Sequence, residues 1–167
     1  MGTIDLDRSD SKFIEDLAGQ PGGEMIRACF TCRSCVAGCP IAAVNREFSP
    51  AKIIRMALYG LKDHVLKSDF VWLCSTCYTC QERCPQGVTI TDFMTLLKNR
   101  AIKEGFAPPG IRAQLKLVTG DGRIYPIDDF DNKKRSKAGL PVLPTSCDEI
   151  KKLFHGQDAA TDTDIPV

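Results

Sequence analysis

Apolar residues recur at helical spacing in a series of short stretches along this chain, and the polar and glycine-rich segments between them carry the stops. Phe13, Ile14 and Leu17 mark a short helix over 11–18, closed by Gly19 and the Gln20-Pro21-Gly22-Gly23 stretch. The polar residues 1–10 before it are expected to be loose. Ile53, Ile54, Ala57 and Leu58 form the next stripe. It begins behind Ser49, a good N-cap, and Pro50, whose fixed φ and missing N–H suit the first helical position; Gly60 ends it. Leu61, Val65 and Leu66 share one face of another short helix, and Phe70, Trp72 and Leu73 then run into Cys74. Phe93, Leu96, Leu97 and Ile102 point inward from a helix that Thr89 or Thr91 can cap, running to about residue 104 and stopped by Gly105.

The pattern lapses over 106–145, where Pro108-Pro109, Gly120-Asp121-Gly122, Pro126, Pro141 and Pro144 punctuate the chain. Ile111, Leu115, Leu117, Val118, Ile124, Tyr125 and Ile127 are too apolar for a free linker. The segment therefore reads as an extended, irregular arm that packs on a partner protein. Ser146 and Glu149 form a capping-box pattern for a last short helix over 147–155, before Gly156 and a frayed tail at 157–167. The fold class is mostly α. The expected organisation is an N-terminal segment with a short helix (1–24), a helical domain (25–105), and an arm, short helix and tail (106–167).

Cysteine changes this picture from a helical domain to a cofactor carrier. Eight of nine cysteines fall into two copies of C-x2-C-x2-C-x3-C-P: Cys29, Cys32, Cys35, Cys39 and Pro40, then, 45 residues later, Cys74, Cys77, Cys80, Cys84 and Pro85. This run holds [4Fe–4S] cubanes in two-cluster ferredoxins. Three cysteines spaced by two residues wrap one face of a cubane from a single loop, and the fourth ligand reaches in from elsewhere. In two-cluster proteins with this run, the fourth cysteine goes to the other cluster. The expected ligand sets are Cys29, Cys32, Cys35 and Cys84 for cluster 1, and Cys74, Cys77, Cys80 and Cys39 for cluster 2. With the segment between the runs helical, the domain is an α-helical ferredoxin rather than one built on β-hairpins. Zinc sites normally pair C-x2-C units across a gap, so the third cysteine and the trailing proline favour clusters. Small neighbours such as Thr31, Ser34, Gly38, Ser75, Thr76 and Thr79 let amides approach the sulfurs.

Charge adds little until the clusters are counted. Lys and Arg number 22 against 21 Asp and Glu, which gives no case for nucleic-acid binding. Each cubane with four thiolates contributes about −2, so the formal +1 becomes about −3 in the oxidised holo-protein. The opening MGTIDLDRSD has neither the basic nor the apolar region of a secretory leader, and nine cysteines then point to a reducing, cytoplasmic compartment. No apolar run approaches the ~20 residues of a membrane span, so direct membrane insertion is not expected. Of the residues outside the runs, Cys147 reads first as a small apolar filler and second as a reactive thiol. His64 and His155 read as surface or helix-end residues. Lys133, Lys134, Arg135 and Lys137 read as a solvated face, with docking to an acidic partner as the alternative. Trp72 and Tyr78 flank the second run, as shields of a cluster or as partner contacts.

The segment Trp72-Leu73-Cys74-Ser75-Thr76-Cys77-Tyr78-Thr79-Cys80-Gln81-Glu82-Arg83-Cys84-Pro85, with Gly60-Leu61 to Ser68 before it and Gly87-Val88-Thr89-Ile90-Thr91-Asp92 after it, resembles the C subunit of heterodisulfide reductases. The resemblance covers roughly residues 25–105. It implies an electron wire between two further proteins of the heterodisulfide reductase complex. One is the A subunit, with flavin and iron–sulfur clusters that can bifurcate electrons. The other is the B subunit, whose non-cubane clusters reduce the coenzyme M–coenzyme B disulfide of methanogenesis or a related one. Such complexes can join a hydrogenase or formate dehydrogenase. This chain has no adjacent cysteines of the CCG type and no G-x-G-x-x-G loop, so the chain alone is expected to conduct electrons without turning over a substrate and to have no catalytic residues. Competing expectations keep the clusters and change the role: an iron–sulfur module of a quinone-linked glycerol-3-phosphate, lactate or fumarate/succinate oxidoreductase, or a non-catalytic cluster sensor.

Overall fold

The computed structural model describes residues 6–154, and every regular element in that span is helical. Residues 1–5, His155, Gly156 and the tail at 157–167 lie outside the described residues. The chain divides into two compact units, Met1–Phe106 and Ala107–Val167.

In the first unit a 3-10 turn, Leu6–Arg8, falls in the stretch expected to be loose. Helix α1 (Ser11–Ala18) follows, capped by Asp10, whose carboxylate accepts from the Lys12 amide at 3.0 Å. A 3-10 turn (Ile26–Ala28) leads into the first cysteine run, which holds two short helices, α2 (Ser34–Ala37) and α3 (Pro40–Val44). Helix α4 (Pro50–Leu58) starts as its sequence dictates: the Ser49 hydroxyl accepts from the Lys52 amide at 3.2 Å, with Pro50 at the first helical position. Then come α5 (Lys62–Leu66) and α6 (Phe70–Leu73), the second run with α7 (Thr79–Glu82), and α8 (Ile90–Lys103).

One apolar core joins these elements. Phe13 and Leu17 of α1, Ile53, Ile54 and Ala57 of α4, Val65 and Leu66 of α5, and Phe93 and Leu97 of α8 are all buried. Each fully buried Leu, Ile or Phe removes enough apolar surface from water to contribute about 1.5–3 kcal/mol. Glu104, which caps α8, accepts from Lys62 at 2.9 Å and from Arg100 at 2.6 Å, tying α5 to the end of α8.

The α4–α5 corner is a tight joint in this unit. Gly60 has φ +69°, and its carbonyl accepts from the Asp10 amide at 2.8 Å. A Cβ at Gly60 would overlap the Asp10 backbone. The conservative change Gly60→Ala is therefore expected to destabilise the loaded protein by more than about 1 kcal/mol, because a left-handed φ and a backbone collision act together. Thermal unfolding of the variant beside the parent checks this; an unchanged midpoint contradicts it.

The second unit corrects the expectation of an irregular arm over 106–145. Most of that segment is helical: α9 (Pro109–Asp121) and α10 (Asp129–Lys137), followed by α11 (Asp148–Phe154). The Pro108-Pro109 pair is a helix start, with Pro109 in the first turn and Gly122 (φ +66°) closing α9. Helix α10 is almost wholly polar, so no apolar stripe announces it. It is nucleated by a reciprocal box in which Asp128 accepts from the Asp131 amide at 2.8 Å and Asp131 accepts from the Asp128 amide at 3.4 Å. What remains irregular is a strap at 140–144, clasped to α10. Asn132 exchanges two 2.9 Å hydrogen bonds with the Leu143 backbone, and the Arg135 guanidinium donates to the Pro141 carbonyl at 2.9 Å. Helix α11 packs on α9, and the Cys147 amide donates to the Asp121 carbonyl at 2.8 Å. Among the described residues no helix is long and apolar enough to cross a membrane.

Candidate iron–sulfur site

The repeat in the sequence is also a repeat in backbone torsions. In the first run Thr31 and Arg33 take φ +64° and +67°; in the second, Thr76 and Tyr78 take +52° and +62°. These are the same two register positions, on either side of Cys32 and Cys77. Left-handed φ is rare for L-residues and rarest for β-branched ones. Peptide planes turned in this way make the concave nests whose amides favour an anion, as at many iron–sulfur sites. Cys29 ends the preceding 3-10 turn and Cys74 ends α6; Cys35 lies in α2 and Cys80 in α7. Cys39 is the N-cap of α3, with Pro40 fixing the exit of the chain.

The thiols follow the same symmetry. Cys32 and Cys77 are exposed, Cys35 and Cys80 are buried, the other four are half-buried, and no cysteine is in a disulfide. The Ser34 hydroxyl lies 3.3 Å from Cys32 Sγ, and Thr79 Oγ1 lies 3.6 Å from Cys77 Sγ. These hydroxyls hold both thiols below the ordinary value. Burial pushes the Cys35 thiol up to about 11, with Cys80, Cys29 and Cys32 adding to it. Burial also pushes Cys80 up, against the Thr91 hydroxyl. The influence of Cys80 on Cys35 reflects a direct junction of the two runs, since α2 packs on α7. Gly38 makes that junction possible: Arg83 and Thr79 atoms lie 3.1–3.3 Å from where its Cβ would be. Four thiols in each run, nested amides and close-packed runs suit a pair of cubanes, whose irons need four thiolates each.

Four contacts around the second run escape sequence reasoning. Thr91, a cap candidate, is not the cap; Thr89 occupies that position. The Thr91 amide donates to Gln81 Oε1 at 3.1 Å, and its hydroxyl, on a residue only 1% exposed, lies 3.7 Å from Cys80 Sγ. Lys98 Nζ donates to the Cys74 carbonyl at 2.9 Å, and the Val88 amide reaches Cys84 Sγ at 3.4 Å. The one available signal is that Thr91 and Lys98 fall on one helix that starts just after the second run.

The remaining candidates lie apart from this chemistry. His64 is exposed on α5, and His155 is outside the described residues. Trp72 is half-buried against the core, whereas Tyr78 is 47% exposed. Cys147 Sγ donates to Glu149 at 3.5 Å. The basic run lies on α10, where Lys134 Nζ is 4.2 Å from the Phe130 ring centroid.

Known proteins are similar to this chain. The 4Fe-4S dicluster domain family matches residues 25–88, which contain both runs. The C subunit of the H(2):CoB-CoM heterodisulfide,ferredoxin reductase of Methanothermobacter thermautotrophicus is 38% identical over 87% of this chain and 78% of its own length. The C subunit of the Ferredoxin:CoB-CoM heterodisulfide reductase of Methanosarcina mazei is 39% identical over 78% of this chain and 80% of its own. The iron-sulfur C subunit of the CoB--CoM heterodisulfide reductase of Methanopyrus kandleri is 33% identical over 86% and 78%. The similarity runs well past the cysteine motifs, and with two [4Fe–4S] clusters as its cofactors the chain belongs to the family of heterodisulfide reductase C subunits, iron–sulfur electron-transfer proteins of an oxidoreductase complex.

Proposed function

We propose that this chain is the wire of a three-protein heterodisulfide reductase, carrying electrons from the flavin- and cluster-bearing A subunit to the disulfide-reducing B subunit. Cys29, Cys32, Cys35 and Cys84 hold one cluster; Cys74, Cys77, Cys80 and Cys39 hold the other. Each cluster, when bound, takes up and returns one electron. The observation that carries the proposal is the junction of α2 with α7, which sets the two cysteine runs against each other across Gly38 and Arg83. Electron transfer between two centres needs this closeness, whereas a structural staple does not. The protein's own residues supply the rest: nested amides meet the negative charge, Ser34 and Thr79 hydroxyls face the exposed thiols, and the α2–α7 packing keeps water from Cys35 and Cys80.

Anoxic copurification of the tagged chain from its native host, with bound proteins identified and iron and sulfide counted, tests this. Recovery of a flavoprotein and a protein with CCG cysteine motifs, with about eight irons on this chain, is the expected result. Recovery with a quinone-linked dehydrogenase instead moves the function to respiration, and zinc in place of iron overturns both.

A further inference from the structure

The repeat supplies an internal control on the electrostatics of the pair, because what the two halves share cannot distinguish their clusters. Cys32 with Ser34 and Cys77 with Thr79 match, as do the four left-handed residues. Helix α8 breaks the match. Its Lys98 ammonium donates to the Cys74 carbonyl at 2.9 Å, and its buried Thr91 hydroxyl meets Cys80 Sγ at 3.7 Å. Forty-five residues earlier in the chain stand Ile53, buried in the core, and Arg46. Among the described residues no side chain hydrogen-bonds to the Cys29 carbonyl or to Cys35 Sγ. The one contact that favours the other cluster is the neutral Val88 amide at Cys84 Sγ, 3.4 Å away. It offsets the neutral hydroxyl of Thr91 and leaves the ammonium unmatched. Arg27, Arg33 and Arg83 are exposed, where solvent and salt screen them; Lys98 is half-buried and held in place.

We infer that Lys98 and Thr91 are tuning residues that make the cluster at Cys74, Cys77 and Cys80 the higher-potential member of the pair. An electron arriving on a cluster makes it more negative. A fixed cation and a hydrogen-bond donor stabilise that form more than the oxidised one, and so raise the reduction potential. Cys74 and Cys80 belong to one run, so the inference holds whether or not the fourth ligands cross. It rests on the proposal that these cysteines hold clusters. Electrons entering the pair settle on the α8 end, which gives the wire a direction.

The test is an EPR-monitored redox titration of the whole 167-residue chain, loaded anoxically, beside Lys98→Met, Lys98→Arg, Thr91→Val and Thr91→Ser. Iron content is measured first: about eight irons in each variant keeps the cluster proposal apart from the tuning proposal. The expected result is two one-electron steps in the parent. Lys98→Met lowers only the upper step, by a tenfold or greater change in the oxidised-to-reduced ratio, equivalent to about 59 mV. Thr91→Val shifts the same step by less, and Lys98→Arg and Thr91→Ser restore it. Movement of the lower step, equal movement of both, or no movement in iron-replete Lys98→Met overturns the inference. Lys98 hydrogen-bonds a backbone carbonyl and not a thiol, so its replacement leaves every cysteine ligand in place should Thr91→Val fail to load.

Discussion

Replacing Cys29 and Cys84 together is expected to leave one intact cubane per chain, about four irons, whereas replacing Cys29 and Cys39 together is expected to leave none intact. The pairs invert if each run holds its own cluster. Crossed ligation puts Cys29 and Cys84 on the same cluster, so their joint loss spares the other; Cys29 and Cys39 then belong to different clusters, and both are broken. The structure gives a physical reason to expect crossing. The residue before each fourth cysteine, Gly38 in one run and Arg83 in the other, touches its counterpart across the α2–α7 junction. Each fourth cysteine therefore follows directly on the point where its run meets the opposite one. Iron and sulfide counts with EPR of the reduced variants decide the matter. About four irons in Cys29→Ala/Cys39→Ala, with the other pair empty, would sink the crossed assignment.

Stripping the clusters is expected to cost the first unit most of its stability. Thr31, Arg33, Thr76 and Tyr78 all hold left-handed φ. Each such residue costs about 1–3 kcal/mol, persisting only while its surroundings over-determine it, so four represent about 4–12 kcal/mol. A whole domain has only about 5–15 kcal/mol in hand. Metal–thiolate bonds are expected to over-determine these loops, and their free energy is folding free energy. The lower end of the range lowers the unfolding midpoint by roughly 15–30 °C in a domain of this size. Circular dichroism melts of loaded and chelator-treated chains measure it. Thr31→Gly provides the control: it removes strain only where the left-handed φ is held, so it should raise the midpoint of the loaded chain and not that of the stripped one. Equal midpoints for loaded and stripped protein would show that the loops hold their shape unaided.

The cysteines and the core helices are legible from residue types and spacing because both signals are periodic. Ser49 and Pro50 start α4 as their chemistry predicts, and Phe93 and Leu97 of α8 point inward as their spacing requires. Periodicity has no purchase on α2, α6 and α7, of four residues each, because a single turn has no second turn to compare with. It fails for α10 for a different reason: DFDNKKRSK has no apolar stripe, and its start is written in a reciprocal pair of aspartates. Pro108-Pro109 misleads because proline both breaks a helix and begins one; only the chain that follows decides which. The left-handed torsions at Thr31 and Thr76 run against local preference, so no propensity argument finds them. Thr91 and Lys98 stay hidden because an ordinary helical threonine and lysine acquire their role from what α8 lies against.

Those left-handed positions bear on biogenesis. Glycine would accept the same torsions without steric conflict, yet the chain places Thr, Arg, Thr and Tyr there. If the loops relax on loss of the clusters, as the melts above test, loaded and empty chains differ in shape as well as in metal content. Sister proteins of the complex and proteases would then meet two recognisably different molecules. Cofactor insertion becomes a checkpoint that precedes assembly, with empty chains left for degradation before they can interrupt a finished circuit.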